Sequence, residues 1–334
     1  MTERVQPAPT HSAPDAARQA TAIADRSHCG LISLSGEDCA RFLQNQSTND
    51  IQALQPGQGC QTVFVSSTAR TVDLGWVYAT ESGYWLLVSP QRRQTLVERL
   101  DRYLFPLDRV ELADRSDGCA VFVALGPNSD RLARELGAER LSAGVEGDHQ
   151  AVPWGNATLR VAAGSGLALP GYTVIAPTQA AESVWVALTA AEVPILGERD
   201  WEQLRVCQGR PIPDHELTED YNPLEAGLIG AISFHKGCYI GQETITRLNT
   251  YKGVKQRLWG IRLPAPVTEG TPIAVAGKTV GALTSCVETA EGGFGLGYVK
   301  TKAGGAGTRV SVGETEGELV AVPFLDHSYY DPGQ

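Results

Sequence analysis

The sequence predicts an α+β protein with a duplicated α+β core and, after it, a small β-barrel or sandwich. Two observations predict the duplication. Gly36 and Gly126 close similar short strands 90 residues apart, and Gly83 and Gly171 open similar strands 88 residues apart. Strand–turn–helix elements are common, so chance rivals either match alone, and the agreement of the two offsets carries the argument. A third observation predicts the second module: from Gly253 helical periodicity gives way to short alternating apolar runs between glycine-rich turns. A chain of 334 residues is also longer than one hydrophobic core usually serves.

The elements follow in order. Residues 1–24, rich in Ala, Pro, Thr and Gln and without the apolar stretch of a signal peptide, read as a mobile tail, with a helix across Asp15–Ala24 as the alternative. Residues 25–252 form the core, in halves of about 25–115 and 116–200 and a further segment, 201–252. In the first half Gly30–Gly36 is a strand ending in a turn. Ser35 then caps a helix with Asp38 as capping-box partner, and Cys39, Phe42 and Leu43 share its apolar face. Gly83–Pro90 leads into a helix with Leu96, Val97, Leu100 and Leu104 on one side. In the second half Cys119–Gly126 is followed by Asn128 or Ser129 as cap, then by Leu132 and Leu136, with Gly137 as the stop. Gly171–Pro177 leads into a helix over 178–189 carrying Val184, Trp185 and Leu188. Asp200–Val206 is a capped helix closed by Gly209 and Pro211. The stretch 211–237 has three prolines, several acids and little apolar periodicity, so it reads as a long ordered loop of the kind that often carries function. A helix restarts near Gln242. In the final module, 253–326, strands are expected near Leu258–Leu263, Thr279–Val287, Phe294–Val299, Arg309–Val312 and Leu319–Val322. Residues 327–334 read as a surface tail.

Composition narrows the function. Hydrophobic residues make up 42% and charged residues 20%, an ordinary globular mix. The net charge of −10 argues against a general nucleic-acid surface, and no run of about 18 apolar residues exists to span a membrane. The seven cysteines are scattered, odd in number and without C-x-x-C spacing, which disfavours a metal site and suits reduced thiols in a cytoplasmic protein. His28, His215 and His235 join no ligand pattern.

The most distinctive segment is His235-Lys236-Gly237-Cys238-Tyr239-Ile240-Gly241-Gln242-Glu243-Thr244. Gly237 and Gly241 permit unusual backbone geometry. A helix starting after Gly241 directs free N–H groups toward the loop. With Lys236 two residues from the thiol, both features favour a thiolate at Cys238. The other reading is a half-buried turn cysteine between flexible glycines.

The string Lys236, Gly237, Cys238, Tyr239, Gly241, Gln242, Glu243 resembles the signature of the YgfZ family, relatives of the glycine-cleavage T-protein. Asn222-Pro223-Leu224-Glu225-Ala226-Gly227-Leu228 resembles the segment that precedes it, and Leu204-Arg205 through Gly209 is similar to the family's L-R-x-x-x-G helix. The likeness spans most of 25–325 and is strongest over 222–247. It implies a duplicated folate-binding core of the T-protein type with a C-terminal β-barrel. It also implies tetrahydrofolate as ligand, and a role in assembling or repairing iron–sulfur clusters with client or assembly proteins as partners. On this basis Cys238 and Lys236 are the candidate reactive pair. Glu225 is the candidate for the donor–acceptor edge of the pterin, against a solvated loop acid. Arg205 is a candidate for the carboxylate tail or for buttressing Glu225, against a helix-surface arginine. Asp73 aligns with an acid near folate's reacting nitrogens, against a hairpin aspartate. The T-protein's G-Y-T-G-E segment is missing, since the matching stretch reads Leu169-Pro170-Gly171-Tyr172-Thr173-Val174. Glycine cleavage is therefore disfavoured. A folate-dependent aminomethyl or methyl transferase and a non-catalytic folate-sensing scaffold remain as alternatives.

Overall fold

The computed structural model describes residues 12–141, 145–190 and 192–331. Helix α1 (Ala13–Gln19) and strand β1 (Ala22–Asp25) precede β2 (Gly30–Ser35), α2 (Cys39–Gln46), β3 (Gly59–Val65), β4 (Thr71–Thr80), β5 (Gly83–Val88), α3 (Arg93–Arg102) and β6 (Glu111–Asp114). The second half runs β7 (Cys119–Leu125), α4 (Asp130–Glu135), β8 (His149–Trp154), β9 (Ala157–Ala163), β10 (Gly171–Pro177), α5 (Thr178–Thr189) and β11 (Ile195–Leu196). Helices α6 (Glu198–Gln208) and α7 (Gln242–Thr250) flank the long loop.

The duplication is visible in the pairing. One sheet has the order β3-β4-β5-β2-β6, the other β8-β9-β10-β7-β1-β11. The two halves exchange edge strands. β1, which precedes β2 in sequence, pairs antiparallel with β7 of the second half, whereas β6, which precedes β7, pairs antiparallel with β2 of the first. The paired glycines show the same exchange in their contacts. Gly36 has φ +102° and the carbonyl of Arg109 lies where its side chain would be; Gly126 has φ +120° and meets the carbonyl of Ala20 in the same way. Each contact comes from the residue two before the exchanged strand, and only glycine suits both the left-handed backbone and the close approach.

Helices α2 and α3 bury Phe42, Leu43, Leu96 and Leu100 on the first sheet, and α4 and α5 bury Leu132, Val184 and Leu188 on the second. Between the sheets lie Leu31, Trp76, Tyr78, Val121 and Ile175. The C-terminal module is a closed barrel of β12 (Gln256–Leu263), β13 (Pro272–Val275), β14 (Lys278–Thr289), β15 (Gly292–Lys300), β16 (Arg309–Val312) and β17 (Thr315–Val320), in the order β12-β15-β14-β13-β16-β17. Closure removes the edge strands that an open small sheet would expose. The α+β class with a C-terminal barrel is therefore as expected.

Three local expectations need correction. Residues 1–24 are not a mobile tail from Ala13 onward: Ala17, Ala22 and Ala24 are small enough to pack into a core with Leu125, Leu196 and Leu204, which fixes α1 and β1. Residues 1–11 lie outside the described residues. The cap of α2 is Asp38 rather than Ser35, and its carboxylate makes no capping bond because it accepts from the backbone N–H of Arg109 at 3.0 Å. The C-terminal end is docked through 331: His327 Nε2 lies 2.8 Å from the carbonyl of Leu258, and Tyr330 stacks on Phe234 with ring centroids 5.0 Å apart. Residues 332–334 lie outside the described residues.

Candidate functional site

A cavity of about 280 Å³ opens where the two sheets meet α6. Leu74 and Trp76 on β4 and Leu87 on β5 line it from the first sheet, and Val121, Val123 and Thr173 line it from the second. Strands β4, β5, β7 and β10 place these side chains toward the opposing sheet because side chains alternate across a strand. Ser89, Pro90 and Gln91, just after β5, also line it. Arg26, His28 and Cys29 come from the turn between β1 and β2; Glu198, Trp201, Glu202 and Arg205 come from α6, with Arg210 just beyond it.

The charges are unequally compensated. Arg205 is 1% exposed and engaged on every side. Its Nε donates to Glu202 Oε2 at 2.8 Å, its Nη1 to the fully buried Glu216 at 2.9 Å, and its Nη2 to Glu202 and to Ser285 Oγ, the latter at 2.7 Å. Ser285 Oγ and Thr284 Oγ1 donate in turn to Glu216 Oε1 at 2.6 and 2.8 Å. This network joins α6, the long loop and barrel strand β14. Arg210 donates to the carbonyls of Gly166 at 2.8 Å and Leu74 at 3.4 Å, and burial pulls its pKa down. Burial pushes the Cys29 thiol up, with Arg26 and Arg210 acting against it.

Of the residues singled out in the sequence, Arg205 lines this cavity. Asp73 lies inside the wall: it is 0% exposed, and its carboxylate accepts from the N–H of Leu74 (2.9 Å), the N–H of Ser89 (2.9 Å) and Ser89 Oγ (2.6 Å). Burial raises its pKa, and Ser89 opposes the rise. Asp73 therefore orients Ser89, which does line the cavity. Glu225 lies outside the lining. It is buried in its own turn, where Oε2 accepts from the N–H of Asn222 at 3.2 Å and Asn222 Oδ1 accepts from the N–H groups of Leu224 and Glu225. Its carbonyl accepts from Leu258 N–H at 3.0 Å, tying the loop to β12. Burial raises its pKa. Arg205 thus buttresses Glu216, a residue the sequence reading passed over, and not Glu225.

The signature segment sits elsewhere, along the C-terminal end of α2. Ser233 N–H donates to the carbonyl of Thr48 and Ile240 N–H to that of Asn45, both at 3.0 Å. Lys236 Nζ donates to the carbonyls of Gln44 (2.6 Å), Ser47 (2.7 Å) and Asn49 (2.6 Å). Gln44 lies in the last turn of α2 and Ser47 caps it, where helix carbonyls lack partners within the helix, and Asn49 follows in the loop. The charge expected beside Cys238 is thus spent on α2. Burial lowers the Lys236 pKa to about 8, with Asp50 and Cys60 acting against it. Tyr239 is a core residue whose ring lies 4.9 Å from the Lys236 ammonium. Gly241 has φ +84° and caps α7, and an added Cβ would sit 2.9 Å from the carbonyl of Ser66. Gly237 has open space around it. Gln242 Nε2 donates to its carbonyl at 3.4 Å, and Glu243 is exposed in the first turn of α7. Cys238 is the exposed cysteine of the seven, all of them free. The structure therefore separates two places, a cavity holding Arg205 and a surface turn holding Cys238.

Sequence reading missed Arg26, Trp201, Arg210 and Glu216. None belongs to a local motif, although Arg210 directly follows the helix-closing Gly209. Among the described residues no group of three or more His, Cys, Asp or Glu could hold a metal, and no helix is long and apolar enough to cross a membrane.

A family model described as the GCVT N-terminal domain matches residues 8–236. A chloroplastic protein of Arabidopsis thaliana, whose name gives it provisionally as a transferase, is 42% identical over 93% of this chain and 73% of its own. A protein of Rubrobacter xylanophilus named aminomethyltransferase is 28% identical over 95% of this chain and 87% of its own. The crystal structure of the glycine cleavage system aminomethyltransferase T from Bartonella henselae superposes with a TM-score of 0.83, covering 95% of this chain and 90% of that one at 18% identity. At that identity the likeness is one of fold.

Proposed function

Since the chain belongs to the family of the GCVT N-terminal domain, we propose that it binds tetrahydrofolate in the central cavity and is a transferase-type protein. We further propose that it supports the assembly or repair of iron–sulfur clusters in client enzymes, with Cys238 as its reactive thiol. The cavity carries the folate reading. Between the sheets its walls are apolar and aromatic, with Leu74, Trp76, Leu87, Val121 and Val123, while its charged groups gather on the side of α6 and the β1–β2 turn, a division that suits a small molecule with an apolar body and polar edges. The residues present fit the group: Trp76, Leu87 and Val123 offer faces for a ring, while Ser89, Thr173 and the Glu202 carboxylate offer partners for its polar edge. When bound, tetrahydrofolate supplies nitrogens that carry a one-carbon unit. The protein's part is to hold the ring between the sheets and exclude water from it. Asp73 serves by fixing Ser89, and Glu225 by holding the loop on the barrel. The iron–sulfur half rests on the Lys236–Glu243 signature. Cys238 is exposed and outside the cavity lining, which leaves it open to a client protein rather than to the bound folate, and the seven free thiols suit a reducing compartment such as the cytoplasm.

Calorimetric titration tests the proposal. Tetrahydrofolate should bind the wild type, and Val123→Trp, which fills the slot, should weaken it by at least about tenfold, or about 1.4 kcal/mol. Cys238→Ser should bind as wild type yet fail to restore an iron–sulfur enzyme in cells lacking the protein. No binding to wild type would defeat the folate reading, equal binding by Val123→Trp would move the ligand out of this cavity, and full rescue by Cys238→Ser would remove the thiol. The relatives named aminomethyltransferase favour a second reading, a one-carbon transferase proper, which turnover of an aminomethyl-lipoyl carrier by the wild type would promote.

A further inference from the structure

The mouth of the cavity holds a cation that its own chain satisfies only in part. Arg26 Nη1 donates to Glu198 Oε1 at 3.2 Å and Oε2 at 3.0 Å. The arginine side chain is 12% exposed, whereas the glutamate side chain is 73% exposed. Arg26 Nε is buried and has no acceptor. The guanidinium lies over Trp201, 4.4 Å from the ring centroid, and His28 Nδ1 approaches Glu198 Oε1 at 3.8 Å. A pair with one member so exposed gains little from its attraction and separates easily, while a buried donor without an acceptor marks a place where one is missing. Deeper in, Arg210 has carbonyl partners alone among the hydrogen bonds of its guanidinium, in contrast to Arg205 with its two carboxylates. The lining thus holds two guanidinium groups with donor capacity to spare, and a single solvated carboxylate stands before the outer one.

We propose that Arg26 anchors the carboxylate of a ligand whose ring lies in the cavity, and that Glu198 is a resident carboxylate which the ligand's own carboxylate displaces. The ligand class is a planar heterocycle with an anionic tail. This deepens the folate reading and rests on it. Arginine suits the role because its planar fork matches a carboxylate and because its broad face stacks on Trp201 while its edge binds. Glu198 then acts as a filter: a ligand without an anion leaves the pair intact, and one with a carboxylate replaces an exposed, weak partner by a better-seated one.

Two measurements test this, one of them independent of folate. Cys29 lines the same cavity, and its N–H donates to the carbonyl of Arg26 at 2.9 Å. Its modification by anionic 2-sulfonatoethyl and by neutral methyl methanethiosulfonate, mapped by mass spectrometry, reports the potential at the mouth. Glu198→Gln should raise the anionic-to-neutral rate ratio at Cys29 by about fivefold or more, and Arg26→Gln should lower it by a similar factor. In binding, Glu198→Gln should tighten tetrahydrofolate about three- to tenfold and leave 6-methyltetrahydropterin, which lacks the tail, within about twofold. Arg26→Gln should weaken tetrahydrofolate about tenfold or more, with Arg26→Lys intermediate. Because Glu198 is exposed, its variant folds and keeps the test decisive. If tetrahydrofolate binds and neither substitution changes its preference over the pterin, the anchor is overturned and the folate reading survives. If tetrahydrofolate does not bind but the Cys29 ratios shift as stated, the folate reading falls and the mouth remains an anion-attracting site. Unchanged ratios in both variants overturn the inference whatever binds.

Discussion

Arg205 is held by Glu202 one turn earlier on its helix, by Glu216 in the long loop and by Ser285 on the barrel. At 1% exposure it cannot turn to water, so its charge depends on these partners. Removing one member of a buried pair strands the other, which costs about 3–5 kcal/mol. Glu216→Ala should therefore lower the unfolding free energy by about 3 kcal/mol, at the low end because Glu202 still pairs with Arg205. Urea denaturation checks this, and a loss below about 1 kcal/mol would show that Arg205 does not need Glu216. Sequence reading placed Arg205 on the correct helix but not its role, because the partners that decide it lie 11 and 80 residues away. Lys236 teaches the same lesson. Its nearness to Cys238 in sequence suggested a shared charge, whereas the carbonyls that hold it lie at least 187 residues earlier. At Cys238 the sequence indicated the local backbone, since α7 starts after Gly241 and the thiol before it is exposed, but not the direction of Lys236.

The signature turn and α7 are clasped by the C-terminal segment. Tyr330 OH lies 2.6 Å from His235 Nε2, and its backbone forms a reciprocal pair with the Asn249 side chain at 2.9 and 2.8 Å. Tyr329 packs against the cluster of Ile232, Tyr239, Ile245 and Val254. A chain ending at Asp326 should fold but exchange the amides of α7 and of 233–239 faster, because it loses two packed aromatic rings and their bonds. Hydrogen exchange checks it, and unchanged protection there would reduce the clasp to a passive tail. Element by element, amphipathic helices were readable, as in α5, where Val184 and Leu188 recur on one face. The hairpin strands β3, β4, β8 and β9 were not read. β4 shows why: buried along nine of its ten positions, it has no alternation to detect. The barrel strand β13 was missed because it has four residues and begins with proline.

At the scale of the whole molecule, the exchange of β1 and β6 makes the two halves one body. The repeat offsets revealed that the halves are alike but not that they swap edges, since which sheet a short strand joins is decided by packing beyond its own sequence. The swap also places both sheets around one cavity, with β4 and β5 on one side and β7 and β10 on the other. A ligand bound there must touch both halves at once, and this is the claim on which the functional account depends. Hydrogen exchange with and without saturating tetrahydrofolate tests it most directly. The account predicts added protection in 73–76, 87–91, 121–123 and 165–173 together, with the exposed turn at Cys238 unchanged. Protection confined to one half, or centred on 235–243, would contradict it.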